Sequence, residues 1–306
     1  MTPLARATRV IDLPRAGSGE RRRAPAWLAV LARRKITLAG LVLVAVIVVV
    51  GALGPVIAGD PTTMDVAARL TRPGQAHWFG TDDVGRDVYS RVVHGARLSL
   101  IVGAAVVLLS FAGGITGGVL AGYYPALDNP IMRVMDGLMA FPAIVLAIAL
   151  MASLGPSVVN VIVAIGVVYS PRVARVVRGS VLVLKETVYV EAARALGASD
   201  GSVMVRHILP NCLSPVIVQG SFVFAAAVLT EAALSFLGVG VPPYVPSWGN
   251  ILSEGRLYLQ QAPWLVLYPG AAIMLTILGL NLFGDGLRDL LDPKIRGLQT
   301  ERQRAS

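Results

Sequence analysis

Glu191-Ala-Ala-Arg-Ala-Leu-Gly197-Ala-Ser-Asp-Gly-Ser-Val-Met-Val-Arg-His-Ile-Leu-Pro210-Asn211 is a polar stretch set between two long apolar blocks. Ala192, Ala193, Ala195 and Leu196 are strong helix formers, and Gly197, just past them, is placed to take the left-handed conformation that ends a helix. A second helix is expected to begin at Ser199, whose hydroxyl suits an N-cap, and to stop at Pro210. The alanine methyl face lets another protein approach the backbone closely, while Glu191 and Arg194 can pair with groups around such a contact.

The rest of the chain sets this stretch in a membrane protein. Of 306 residues, 55% are hydrophobic and only 15% charged, with a mean hydropathy of +0.68; soluble domains carry about 25% charge. The single cysteine, Cys212, excludes an internal disulfide and a thiolate metal cluster, and His77, His94 and His207 lie too far apart for metal-ligand spacing.

Residues 1–35 hold nine basic residues against Asp12 and Glu20 and read as a basic tail. Residues 36–59 are apolar over more than the roughly 20 residues that span a bilayer, too long for a signal-peptide core, and read as a retained anchor helix despite the cleavage-like Val56-Ile57-Ala58. In residues 60–97 five acids balance five arginines, as suits a loop on the outer side. Further apolar stretches at about 98–123, 134–154, 157–176, 213–238 and 264–287 complete six expected spans, with Gly155-Pro156 joining the third and fourth as a tight hairpin. The expected fold is all-α and polytopic.

Charge counting orients it. Residues 171–212 carry six basic residues against three acids, and residues 288–306 five against three, whereas the loops at 60–97 and 239–262 sum to zero. By the positive-inside rule both termini and the 183–212 loop face the cytoplasm. Topology thus accounts for the net charge of +9, and nucleic-acid binding is not expected.

Several residues carry narrower expectations. Gly113, Gly114, Gly117, Gly118 and Gly122 form overlapping small-xxx-small pairs that would permit close helix packing, or simply reflect how common glycine is in membrane helices. Arg172, Arg175 and Arg178 are expected to snorkel to headgroups, and Trp248 and Trp264 to anchor at the interface. Glu231 is expected to reach headgroups or a neighbouring subunit rather than line the path, Asp136 and Asp285 to pair structurally, and His207 to be a surface or contact residue. Asp83, Arg86 and Asp87 are expected to support one another and cap the first spans.

No G-x-x-x-x-G-K-[ST] loop, His-Glu-x-x-His or Gly-x-Ser-x-Gly is present. A membrane protein with no energy-binding motif is a pore, an ion-coupled carrier or channel subunit, or a subunit powered by a partner.

Glu191-Ala192-Ala193, then Gly197, then Leu209-Pro210 resembles the EAA motif of bacterial ABC importer permeases. His207 stands where that motif usually has isoleucine, and the His-Ile-Leu-Pro-Asn form resembles the peptide-importer branch. Phe79-Gly80-Thr81-Asp82-Asp83-Val84-Gly85-Arg86-Asp87, then Glu231-Ala-Ala-Leu-Ser-Phe-Leu-Gly238 with Pro246-Ser247-Trp248-Gly249, and Gly284-Asp285-Gly286-Leu287-Arg288-Asp289-Leu290-Leu291-Asp292-Pro293 are similar to the C-type permease subunit of dipeptide, oligopeptide and nickel importers. The resemblance covers roughly residues 25–296.

It implies a type I ABC importer permease fold in the bacterial cytoplasmic (inner) membrane, with the five spans of residues 98–287 as the permease core. It also implies a B-type permease subunit as heterodimer partner, two cytoplasmic ATPase subunits and an extracytoplasmic substrate-binding protein. ATP and Mg would be bound by the ATPases, with no cofactor in this chain and no catalytic residue. Glu191, Ala192, Ala193, Arg194, Leu196, Gly197 and Ala198, with Leu209 and Pro210, would form the ATPase-coupling segment, and the imported solute would be a peptide or a related small molecule. An ion-coupled carrier would instead need deep acids, broken helices or inverted repeats.

Overall fold

The structure is a computed structural model that describes residues 35–291; the basic segment 1–34 and the tail from 292 lie outside the described residues. Nine helices form among the described residues: α1 Lys35–Ile57, α2 Val88–Tyr123, α3 Pro125–Met139, α4 Ala143–Leu154, α5 Val158–Leu184, α6 Val188–Ala195, α7 Asp200–Phe236, α8 Trp248–Gly255 and α9 Trp264–Leu291. No strand occurs among them; Thr81 and Asp87 form an isolated antiparallel bridge.

Five helices, α1, α2, α5, α7 and α9, are long and apolar enough to cross a membrane, and α3 with α4 makes a sixth span if that bent pair is counted as one. The pair corrects the expected continuous span at 134–154: it is bent by 91°. The cause is local. Pro142, in the break, takes φ −53° and ψ 133°, and a proline biases the residue before it, here Phe141, away from helical geometry.

α2 begins ten residues before its apolar stretch because Asp87 caps it, accepting from the Ser90 N–H at 2.8 Å. At the other hairpin, Gly155 (φ +82°) ends α4, and Asn160 Nδ2 donates to the Leu154 and Gly155 carbonyls at 2.8 and 3.1 Å. These bonds satisfy groups that the helix end leaves free.

α2 and α5 form the most extensive helix pair. A Cβ on Gly114 would lie 2.5 Å from Val173 Cβ, one on Gly118 2.6 Å from the Ala174 carbonyl, and one on Gly122 2.7 Å from Val181 Cβ. Three of the five glycines therefore set the approach of two backbones, as the small-residue spacing suggested. α1 packs on α9 and α2 through Gly40 and Gly51, leaving Val42, Val46, Val49 and Val56 outward.

The core divides in two. One cluster joins α2, α4, α5 and α7 and includes Val106, Met151, Ile165, Val177 and Leu234. The other gathers the α8 end around Val88, Trp248, Ile251, Trp264 and Leu265. Both tryptophans are interior rather than interfacial: Trp248 is 1% exposed with Nε1 donating to the Val92 carbonyl at 2.8 Å, and Trp264 Nε1 donates to the Thr81 carbonyl at 3.1 Å. A buried indole N–H needs such an acceptor.

Candidate coupling segment

The quoted stretch folds as a short exposed helix hung between two long ones. α5 runs to Leu184, Thr187 enters α6 in extended conformation, and Thr187 Oγ1 donates to the Leu184 carbonyl at 2.5 Å. Glu191 lies in the first turn of α6 and Arg194 in the last, each with the sign that suits the helix dipole.

Gly197 takes φ +84°. Its N–H bonds the Arg194 carbonyl at 2.9 Å, and the Ala198 N–H bonds the Ala193 carbonyl at 3.0 Å. This is the paired bonding of a Schellman cap. A Cβ at Gly197 would meet nothing within 4 Å, so glycine is required by conformation and not by space.

Only Val190 of α6 is buried; it joins Val203 and Ile208 in the main core cluster. Outward, Val188 is 80% and Leu196 89% exposed, with Tyr189 and Val205 exposed beside them. Glu191, Ala192 and Arg194 are exposed and Ala193 and Ala198 half-buried, and no ion pair forms at Glu191 among the described residues.

Pro210 does not end the second helix. α7 runs from Asp200 to Phe236, with Ser199 capping it through the Ser202 N–H at 3.4 Å. A π turn at Val203–Ile208, in which the Leu209 N–H reaches back to the Met204 carbonyl, carries the chain into a proline that has no N–H to donate. Half-buried Leu209 and exposed Pro210 thus belong to α7 rather than α6, and half-buried His207 lies within the π turn, as a contact residue would.

Sequence reading missed the tie between this segment and α2. The Tyr123 hydroxyl donates to Asp200 Oδ1 at 2.6 Å, and the Arg194 guanidinium lies 5.2 Å from the Tyr123 ring centroid. The available signal was a Tyr-Tyr pair closing an apolar stretch.

The expected Asp83–Arg86–Asp87 support forms differently. Asp82, fully buried, accepts from Arg86 Nε at 2.6 Å and Arg91 Nη1 at 2.7 Å, and Glu254 of α8 reaches Arg86 Nη2 at 2.9 Å and Arg91 Nη1 at 2.5 Å. Burial would lower the Arg86 pKa, but the Glu254 and Asp82 carboxylates outweigh it and hold it above its ordinary value. Asp87 pairs instead with His77 at 3.0 Å. The oxygens of Asp82, Asp83 and Glu254 lie close enough together for a cation, but two guanidinium groups already pair with Asp82 and Glu254.

Other expectations change as well. Glu231 is fully buried inside the chain, with Ser235 Oγ donating to its Oε1 at 2.8 Å, and does not reach headgroups. Arg175 pairs with Asp136 at 2.6 Å and Arg178 with Asp128 at 2.5 and 2.6 Å, so these two bind acids of α3 instead of snorkelling. Asp136 pairs as expected, whereas Asp285 is exposed and has no ion pair among the described residues.

Comparison with known proteins identifies the whole. Residues 114–297 match the family of binding-protein-dependent transport system inner membrane components. The chain is 51% identical over 267 residues, 87% of it and 90% of the relative, to a Brucella suis protein described as a peptide transport system permease. It is 44% identical over 268 residues to the dipeptide transport system permease protein of Alkalihalophilus pseudofirmus, covering 87% of this chain and 88% of that one. Its fold is similar to that of a chain of the methionine ABC transporter MetNI in an inward-facing conformation, with TM-score 0.56 and 18% identity over 66% of this chain and 96% of that one. The chain belongs to the binding-protein-dependent transport system inner membrane component family and is an ABC transporter permease.

Proposed function

We propose that the chain is the C-type permease subunit of an ATP-driven importer of di- or oligopeptides, with α6 as the helix that receives motion from an ATPase. The supporting observation is the form of α6: a backbone fixed by a Schellman cap and the Val190 anchor, presenting Val188, Tyr189 and Leu196 outward. Exposed apolar groups on a fixed helix suit a protein contact. The peptide and dipeptide transport functions of the Brucella and Alkalihalophilus relatives support the substrate class.

In this reading ATP and Mg reside on two partner ATPases, a B-type permease completes the path, and an extracytoplasmic binding protein delivers the peptide. The α6 end and both termini are cytoplasmic. Glu191, Ala192, Ala193, Arg194, Leu196, Gly197 and Ala198 sit in a groove of one ATPase, while Leu209 and Pro210 shape the start of α7. Closure of the ATPases on ATP draws the coupling helices together and tips the spans from inward- to outward-facing, because ATP binds the closed state more tightly.

Co-expression with the partner chains tests this. The expected result is co-purification of two ATPase chains whose hydrolysis rises with peptide-loaded binding protein; a transporter active as a homomer of this chain, with no ATPase bound, would contradict it.

A further inference from the structure

A charge near the middle of a membrane helix costs about 2.5–3.5 kcal/mol on insertion scales, so its surroundings indicate its use. Arg172 is a charge inside the apolar stretch 157–176, near the midpoint of α5 at about 21 Å from Val158 and about 6 Å from the inner end of that stretch at about 1.5 Å per residue.

Arg172 is exposed, and its guanidinium lies over the Tyr169 ring, 5.2 Å from the centroid. The side chain therefore turns back one helical turn toward the N-terminus of α5, away from the headgroups at the α6 end. Tyr169 is buried and held by a 3.0 Å hydrogen bond between its hydroxyl and Thr230 Oγ1, which makes it a fixed platform.

The neighbouring arginines are satisfied within the chain, Arg175 by Asp136 and Arg178 by Asp128. Arg172 has no acidic partner among the described residues. Its exposed side of α5 continues through Arg175 to an open groove that Val176, Gly179, Ser180, Val183 and Asn211 line toward the α6 end. An arginine with no acid beside it is costly against lipid and stable against water.

We infer that Arg172 is a carboxylate-binding point on the translocation path and takes the C-terminal carboxylate of a passing peptide. This rests on the peptide-importer reading above. The C-terminal carboxylate is shared by peptides of any sequence, so one contact to it serves many substrates. The Tyr169 ring lies beneath the guanidinium carbon, and the N–H groups that make no ion pair remain for a bidentate carboxylate. A single such contact also lets the substrate leave, as conduction requires.

The test uses the assembled transporter in proteoliposomes, with its partner chains free of cysteine. Cys212, the chain's sole cysteine, is buried, so Arg172→Cys supplies the reactive thiol. Modification by a water-soluble anionic thiosulfonate is expected. Reaction only with a lipid-soluble maleimide, or with neither reagent, overturns the site.

In the functional arm, uptake of a radiolabelled dipeptide is expected to fall about tenfold or more in Arg172→Gln and to recover in part in Arg172→Lys, the loss expected for a charged hydrogen bond. Complex yield should stay unchanged. Undiminished uptake by Arg172→Gln overturns the site alone, and loss of assembled complex overturns it in favour of a pairing between chains. No dipeptide uptake by the unsubstituted transporter overturns the ligand and the peptide reading together.

Discussion

The two ends of the helix bundle are held by opposite means. At the α8 end, Asp82 and Arg91, 0% and 2% exposed, are enclosed in a charge network with Arg86 and Glu254, and two buried indoles donate to backbone carbonyls. At the α6 end a single buried valine of α6, a helix cap and the Tyr123–Asp200 hydrogen bond hold the backbone, while Leu196 and Val188 stand 89% and 80% exposed. The charge network of the first end is satisfied by its own residues. The second is rigid in backbone and unmatched in surface, the form expected of a place that another protein covers.

The largest effect that separates the ends is expected at the charge network. Arg91→Gln leaves Asp82 buried with a reduced set of partners, and removing one member of a buried pair costs about 3–5 kcal/mol. Denaturant unfolding in mild detergent should register it, and Arg91→Met combined with Asp82→Asn should cost less than the two singles summed. A cost of Arg91→Gln below about 1 kcal/mol, the range of a surface pair, would mean that the network does not hold this end.

Next comes the α2–α5 contact, which both ends share. Gly118→Leu places a Cβ 2.6 Å from the Ala174 carbonyl and 2.7 Å from Val177 Cβ, and overpacking of that kind costs about 1–3 kcal/mol. The same unfolding assay should detect it, whereas Gly137→Ala, with nothing within 4 Å, should not show this penalty.

Smaller again is Tyr123→Phe. It removes the hydrogen bond to Asp200 and should cost about 0.5–1.5 kcal/mol. Hydrogen exchange is the sharper readout: amides of residues 188–200 should exchange faster while those near Asp82 do not change. Smallest in stability is Leu196→Ser, expected within about 0.5 kcal/mol because the side chain is exposed. It should nonetheless reduce ATPase co-purification, and unchanged co-purification would remove Leu196 from the docking surface.

What was legible in the sequence followed from local signals. The long apolar runs other than 134–154, the glycine spacing of α2 and the helix stop at Gly197 each depend on residues within one or two turns, and each appears as expected. What was missed depends on partners far apart. Glu254 meets Arg91 across 163 positions and Trp264 meets Thr81 across 183, distances at which no periodicity operates. Trp248 looked interfacial because its acceptor, the Val92 carbonyl, could not be placed from the sequence. Pro142 and Pro210 show the limit differently: the first bends a span and the second does not, because a π turn precedes it.

The central claim is that α6 transmits ATPase motion and that Gly197 shapes the entry of that motion into α7. Gly197→Val tests it, because the substituted side chain meets open space and its cost, about 1–3 kcal/mol, arises from the positive φ alone. Gly201→Ala, also in open space but without a positive φ, serves as the control. Peptide uptake and loaded-binding-protein-stimulated ATP hydrolysis should be measured together in proteoliposomes. The expected result is normal membrane insertion with hydrolysis no longer coupled to uptake in Gly197→Val, and both activities coupled in Gly201→Ala; normal stimulated hydrolysis and uptake in Gly197→Val would contradict the claim.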